Sequence, residues 1–157
     1  VNNERHEFIY VNKVGAHFPI QNKYPQDFTR YQPVLPGSYE TTSTWSSDHS
    51  QFHGTPLEWQ QYRNSYRNAL LWNVGEFFNT FLKKADLNKA TVIYTSDHGQ
   101  DLHERGNPGN NTHCGTDPHS QEEAVVPLLV LEGDQAPSRN WHEPLSHLSN
   151  IAGDHGV

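Results

Sequence analysis

The stretch Thr91-Val92-Ile93-Tyr94-Thr95-Ser96-Asp97-His98-Gly99 is an apolar, β-branched run that breaks abruptly into an acid, an imidazole and a glycine. A continuous apolar run without polar alternation is the pattern of a strand covered on both faces, as in the parallel sheets of α/β proteins. Sites in such sheets form beyond the carboxyl ends of the strands, where Asp97 and His98 fall. Successive side chains on a regular strand point to opposite faces. The two residues therefore share one ion only where the backbone turns, and Gly99 permits a turn. A carboxylate oxygen and a neutral imidazole suit zinc, and also manganese. Taken alone, the triplet fits a polar turn closing a strand equally well.

Working outward, Thr55-Pro56-Leu57-Glu58 carries the signature of a helix start, with Thr55 as N-cap, Pro56 at the first helical position and Glu58 at the capping-box position. The helix is expected to run to about Ala85. Tyr62, Tyr66, Ala69, Leu70, Val74, Phe77, Phe78, Phe81 and Leu82 recur at threes and fours as one apolar stripe, read as core. Glu7 to Val14 form a second strand candidate, ending in Gly15-Ala16-His17-Phe18-Pro19, so a histidine again follows a strand end beside a glycine. A turn histidine without a role is the alternative. The order strand, helix, strand favours a parallel pair with a right-handed crossover. A third strand, Val125 to Leu131, has Pro127 near its start, as suits a strand's beginning or an edge.

Residues 21–55 read as a long loop with a short helical turn, and loops of that length in compact domains are often functional. Asp48-His49-Ser50 within it follows no strand and is set aside, as is Asp154-His155-Gly156. Past Gly99, a segment rich in Gly, Asn and Pro leads to His113-Cys114-Gly115-Thr116. Residues 144–153 read as a last short helix. The candidate site thus has four members: His17, Asp97, His98 and His113.

Composition narrows the classes. The 157 residues carry a formal charge of −7, without the basic stripe that nucleic acid demands. No run approaches the roughly 20 apolar residues of a transmembrane helix, and no signal peptide opens the chain. The single cysteine excludes an internal disulfide. Eleven histidines are many for this length, and histidine is the commonest metal ligand and proton shuttle. There is no methionine, even at position 1, so the expectation is a piece of a longer protein with more chain upstream.

The ordered set Val14-Gly15-Ala16-His17-Phe18-Pro19, a long helix, Tyr94-Thr95-Ser96-Asp97-His98-Gly99, Asn111-Thr112-His113-Cys114-Gly115-Thr116 and Val126-Pro127-Leu128-Leu129-Val130 resembles the C-terminal half of a sulfatase-like hydrolase or transferase of the alkaline phosphatase superfamily, closest in flavour to the phosphoethanolamine transferases. The resemblance covers about residues 8–152. It implies an α/β fold with a mixed, mostly parallel sheet flanked by helices, with residues 1–157 forming the C-terminal part of a single catalytic domain. It implies Asp97 and His98 as metal ligands, and His17 and His113 facing the substrate phosphate or a second metal. The ion implied is zinc, with manganese, magnesium or calcium as substitutes. The implied substrate is a phosphate or sulfate ester on a lipid or glycan headgroup. The implied location is the periplasmic or extracytoplasmic face of an inner membrane, reached through an N-terminal segment outside this chain. Asn12 and Cys114 depart from the transferase pattern.

The nucleophile of that family, a threonine, serine or modified cysteine, lies upstream of the region matched. The chain is therefore expected to be half an active site, with weak or absent turnover by itself. The alternatives are a sulfatase or phosphodiesterase of the same superfamily, and a non-catalytic metal-stabilised or glycan-binding module using the Tyr and Trp residues of the 21–72 region.

Overall fold

The capping box expected at Thr55 is present: the Thr55 hydroxyl accepts the Glu58 N–H at 3.4 Å, and the Glu58 carboxylate accepts the Thr55 N–H at 2.7 Å. It opens helix α1, Pro56–Leu70, in a computed structural model that describes residues 7–17, 20–21, 23–37, 52–106, 112–113 and 120–135. The expected C-terminal helix at 144–153, the two Asp-His echoes and Cys114 lie outside the described residues. The chain divides into two compact units. The first comprises residues 1–43 and 54–77, the second residues 44–53 and 78–157.

In the first unit the buried face of α1 carries only part of the expected apolar stripe, Tyr62 and Ala69. Its buried residues are Tyr62, Asn64, Ser65, Asn68 and Ala69, while Leu70 is exposed. The polar members bind the backbone of the preceding loop. Asn68 Oδ1 accepts the N–H groups of Arg30 and Tyr31, both at 2.9 Å, and its amide donates to the Tyr31 carbonyl at 3.0 Å. The Ser65 hydroxyl accepts the Leu35 N–H at 3.0 Å, and the Asn64 amide donates to the Pro33 carbonyl at 2.9 Å. Backbone polar groups that a helix covers need partners. A loop without a ladder finds them in short amide and hydroxyl side chains, which displaces leucine from this face. The buried apolar residues described in this unit are Ile20, Leu35, Tyr62 and Ala69.

Helix α1 passes into a π-helical segment, Leu71–Glu76, and then α2, Phe77–Phe81. The Asn73 amide donates to the Ala69 carbonyl at 3.0 Å and to the Lys23 carbonyl at 2.9 Å. A side chain thus takes the acceptor that an α-helix reserves for a backbone N–H, a recognised cause of local widening. The expected helix is therefore real, but interrupted, and it ends short of Ala85.

Glu7–Val14 form no strand. Phe8, Ile9, Tyr10, Val11 and Val14 are all exposed. β-Propensity measures the fit of side chains to a packed, pleated surface, and this run meets none among the described residues.

In the second unit β1, Val92–Thr95, pairs with β2, Leu128–Leu131, in antiparallel register from Val92 opposite Leu131 to Thr95 opposite Leu128. This is the one sheet among the described residues. The parallel pair expected between Glu7–Val14 and β1 is not formed, because the first run is no strand, and the pairing of β1 among the described residues is antiparallel. Coverage is also one-sided. Tyr94 packs edge-on to Phe78 at 5.2 Å, while Ile93 on the other face is 60% exposed. An apolar run specifies a strand but not its pairing direction. The turn before β1 is tied to the chain after β2 by the bond from the Gly133 N–H to the Leu87 carbonyl at 2.9 Å. A short helix α3, Gln121–Ala124, leads into β2 and has Ser120 as its N-cap.

Replacing Asn68 by Ala strips three backbone groups of their partner and is expected to destabilise the complete protein by about 2–4 kcal/mol. Leu70→Ala, on the exposed part of the helix, is expected to cost less than about 1 kcal/mol. Denaturant midpoints of the two variants give the comparison, and a reversed order contradicts the polar anchoring of the loop.

Candidate active site

Beyond Thr95 the chain turns through short-range hydrogen bonds. The Ser96 hydroxyl donates to the His98 carbonyl at 2.8 Å, and the Asp97 carboxylate accepts the His98 N–H at 3.1 Å and the Ser96 hydroxyl at 3.4 Å. These bonds turn the chain directly after β1. Asp97 is exposed. Its own backbone N–H chiefly, with the nearby His98, the His98 N–H and the Ser96 hydroxyl in support, holds its carboxyl below the usual carboxylate range against the opposing effect of desolvation. An ionised acceptor-only carboxylate results.

Gly99 is required for a different reason from the one expected. Its φ is not in the left-handed region. Its N–H donates to the Glu123 carbonyl of α3 at 2.7 Å, and a Cβ there would overlap the Glu122 carbonyl and lie 2.7 Å from that of Val125. The constraint is backbone lying on backbone. Arg105 adds an ion pair to Glu122 at 3.4 Å, a second tie between this loop and α3.

The His98 ring is half-buried, with Nδ1 2.7 Å from the Gly99 carbonyl. A carbonyl only accepts, so Nδ1 carries a proton, and in the neutral ring Nε2 keeps its lone pair. His113 stacks on this ring, with centroids 5.4 Å apart and planes within 8° of parallel. Its Nδ1 lies 3.1 Å from the hydroxyl of Thr112. The second unit thus brings His98 and His113 together from two loops, with Asp97 next to His98 in the chain. His17 belongs to the first unit, exposed and two residues past Gly15, whose φ of 62° is the expected glycine turn.

Three residues join this site that sequence reasoning passed over. Asp101, 2% exposed, donates its N–H to the Thr112 carbonyl at 2.8 Å. Its carboxylate accepts the His103 N–H at 2.7 Å and lies 3.9 Å from His103 Nε2. His103 has a φ of 52°, a left-handed conformation uncommon outside glycine. Thr112 is fully buried. The available signal was the Asp-x-His spacing of Asp101 and His103, which allows an aspartate to cap the amide two residues on.

Among the described residues no three His, Cys, Asp or Glu side chains converge on one point. The ionised carboxylate of Asp97 and the imidazole of His98 are nevertheless donor types that could hold a divalent ion.

The sulfatase family model matches residues 1–152. The chain belongs to the sulfatase family. That membership carries the α/β class of fold, of which the described residues contribute helices and two strands. The chain is similar to the Kdo(2)-lipid A phosphoethanolamine 7''-transferase of Salmonella typhimurium strain LT2, at 26% identity over 156 residues, covering 96% of this chain and 24% of that protein. It is also similar to the enzyme of the same name from Escherichia coli strain K12, at 25% identity over 127 residues, covering 81% of this chain and 19% of the relative. The sulfatase-family chain therefore spans about a quarter of these relatives or less, and its likeness to phosphoethanolamine transferases agrees with the resemblance carried by its motifs.

Gly99→Ala forces a methyl group into the α3 backbone. It is expected to lower stability by about 1–3 kcal/mol or more. Gly75→Ala, whose added methyl meets nothing within 4 Å, is expected to be neutral or stabilising by up to about 1 kcal/mol. Thermal midpoints of the two variants test this.

Proposed function

We propose that the complete protein is a metal-dependent phosphotransferase or phosphohydrolase that transfers or cleaves a phosphate ester such as a phosphoethanolamine headgroup, and that residues 1–157 supply one wall of its catalytic domain. The observation carrying this reading is the pairing of His98, its Nε2 left bare, with His113 directly beside Asp97 in a chain of the sulfatase family. The names of the two relatives support a lipid headgroup as the substrate class. The family resemblance carries with it a location on the periplasmic face of an inner membrane, with membrane attachment through a segment other than these residues. No helix among the described residues is long and apolar enough to cross a membrane.

Asp97 and His98 would hold a divalent ion, zinc being the best match to a carboxylate and an imidazole, ahead of manganese, magnesium or calcium. When bound, such an ion supplies Lewis-acid polarisation of a phosphoryl oxygen and a lowered pKa for a coordinated hydroxyl. His113, stacked against His98, presents its imidazole to the transferring group, where an N–H hydrogen-bonds a phosphoryl oxygen or passes a proton to the leaving oxygen. The nucleophilic hydroxyl comes from elsewhere in the complete polypeptide.

The test uses the complete protein in detergent, with bis(p-nitrophenyl) phosphate as a diester probe and mass spectrometry to detect phosphoethanolamine added to a lipid A acceptor. Turnover is expected to vanish with chelator, return with zinc, and fall about 100-fold or more in Asp97→Asn and His98→Ala. Metal content is expected to fall on acidification, because an imidazole binds metal only through a deprotonated nitrogen. Chelator-insensitive turnover that survives both substitutions overturns the assignment, and exclusive cleavage of a sulfate ester replaces the phosphate reading with a sulfatase one.

A further inference from the structure

The two stacked histidines differ in what faces their Nδ1 atoms. His98 meets a carbonyl, which can only accept, whereas His113 meets the Thr112 hydroxyl, which can donate. Thr112 is fully buried, and its carbonyl is held by the Asp101 N–H at 2.8 Å. A β-branched side chain is stiff at χ1. On a backbone pinned in this way its hydroxyl has few places to go. The buried hydroxyl is therefore a fixed point from which the His113 ring is aimed.

We propose that Thr112 is a positioning residue: its hydroxyl holds the His113 ring parallel to His98 and, by donating to Nδ1, places the His113 proton on Nε2. The stacked pair then carries opposite tautomers, a bare Nε2 on His98 and an Nε2–H on His113. That division of labour suits a site where one imidazole binds a cation and its neighbour donates to phosphoryl oxygens, all of which are acceptors. The chemical use of the second tautomer rests on the proposed phosphate-ester activity, while the tautomer itself does not.

The experiment uses the complete protein with 15N-labelled histidine. Long-range proton–nitrogen spectra at mildly alkaline pH are recorded for wild type, Thr112→Val and Thr112→Ser, with His113→Gln to assign the signal. Wild type and Thr112→Ser are expected to show His113 protonated at Nε2, and Thr112→Val a shift toward the Nδ1–H form. Loss of a hydrogen-bonding partner behind a functional histidine typically costs about 10-fold to 100-fold. The Val variant should show that loss in kcat with KM little changed, and Ser should restore it. If Val fails to fold, Thr112→Ala, which adds no bulk, takes its place in both measurements. A wild-type His113 protonated at Nδ1 overturns the proposal, as does a Val or Ala variant with unchanged tautomer and kcat. The expected tautomers in a protein inactive on phosphate esters would leave Thr112 as the positioning residue and remove only the functional reading.

Discussion

The site depends on one backbone contact, that of Gly99 with α3. Its N–H is bonded to the Glu123 carbonyl, and the Glu122 and Val125 carbonyls close over the place where a side chain would stand. This contact fixes where the chain leaves the Asp97–His98 turn. It also orients the Gly99 carbonyl, which sets the His98 tautomer. The helix lies just upstream of β2, whose pairing with β1 returns the chain to the strand that carries the turn. Strand, turn and helix therefore constrain one another, and the imidazole geometry follows from backbone packing.

A second layer of constraint runs through buried polar groups. Asp101 caps the turn at His103 through its carboxylate and holds Thr112 through its N–H, and Thr112 reaches His113. Polar networks of this kind are stabilising only when their members are satisfied. The first unit uses the same device at larger scale, with Asn64, Ser65 and Asn68 binding the loop backbone from the helix. Short amides and hydroxyls, more than apolar burial, order the irregular parts of this chain.

That balance explains what the sequence reveals and what it hides. The capping box at Thr55 is a local pattern with a local cause and is legible directly. The strand at Val92–Thr95 and the turn that follows are legible for the same reason. The buried face of α1 is not, because hydropathy periodicity passes over Asn64, Ser65 and Asn68 and promotes Leu70. Strand direction escapes too, since β1 and β2 are apolar runs compatible with either pairing. In the site, Asp97, His98 and His113 are visible as residue types with metal and proton chemistry. Asp101 is hinted at only by its Asp-x-His spacing to His103, and its tie to Thr112 joins segments that local spacing does not connect.

The central claim is that Asp97 and His98 bind a divalent ion in the complete protein, and X-ray absorption at the zinc edge tests it directly. Zinc with nitrogen and oxygen neighbours at about 2.0–2.2 Å is expected, with an imidazole scattering signature and loss of one such imidazole in His98→Ala. A metal-free protein after zinc loading, or a zinc environment that His98→Ala leaves unchanged, contradicts it.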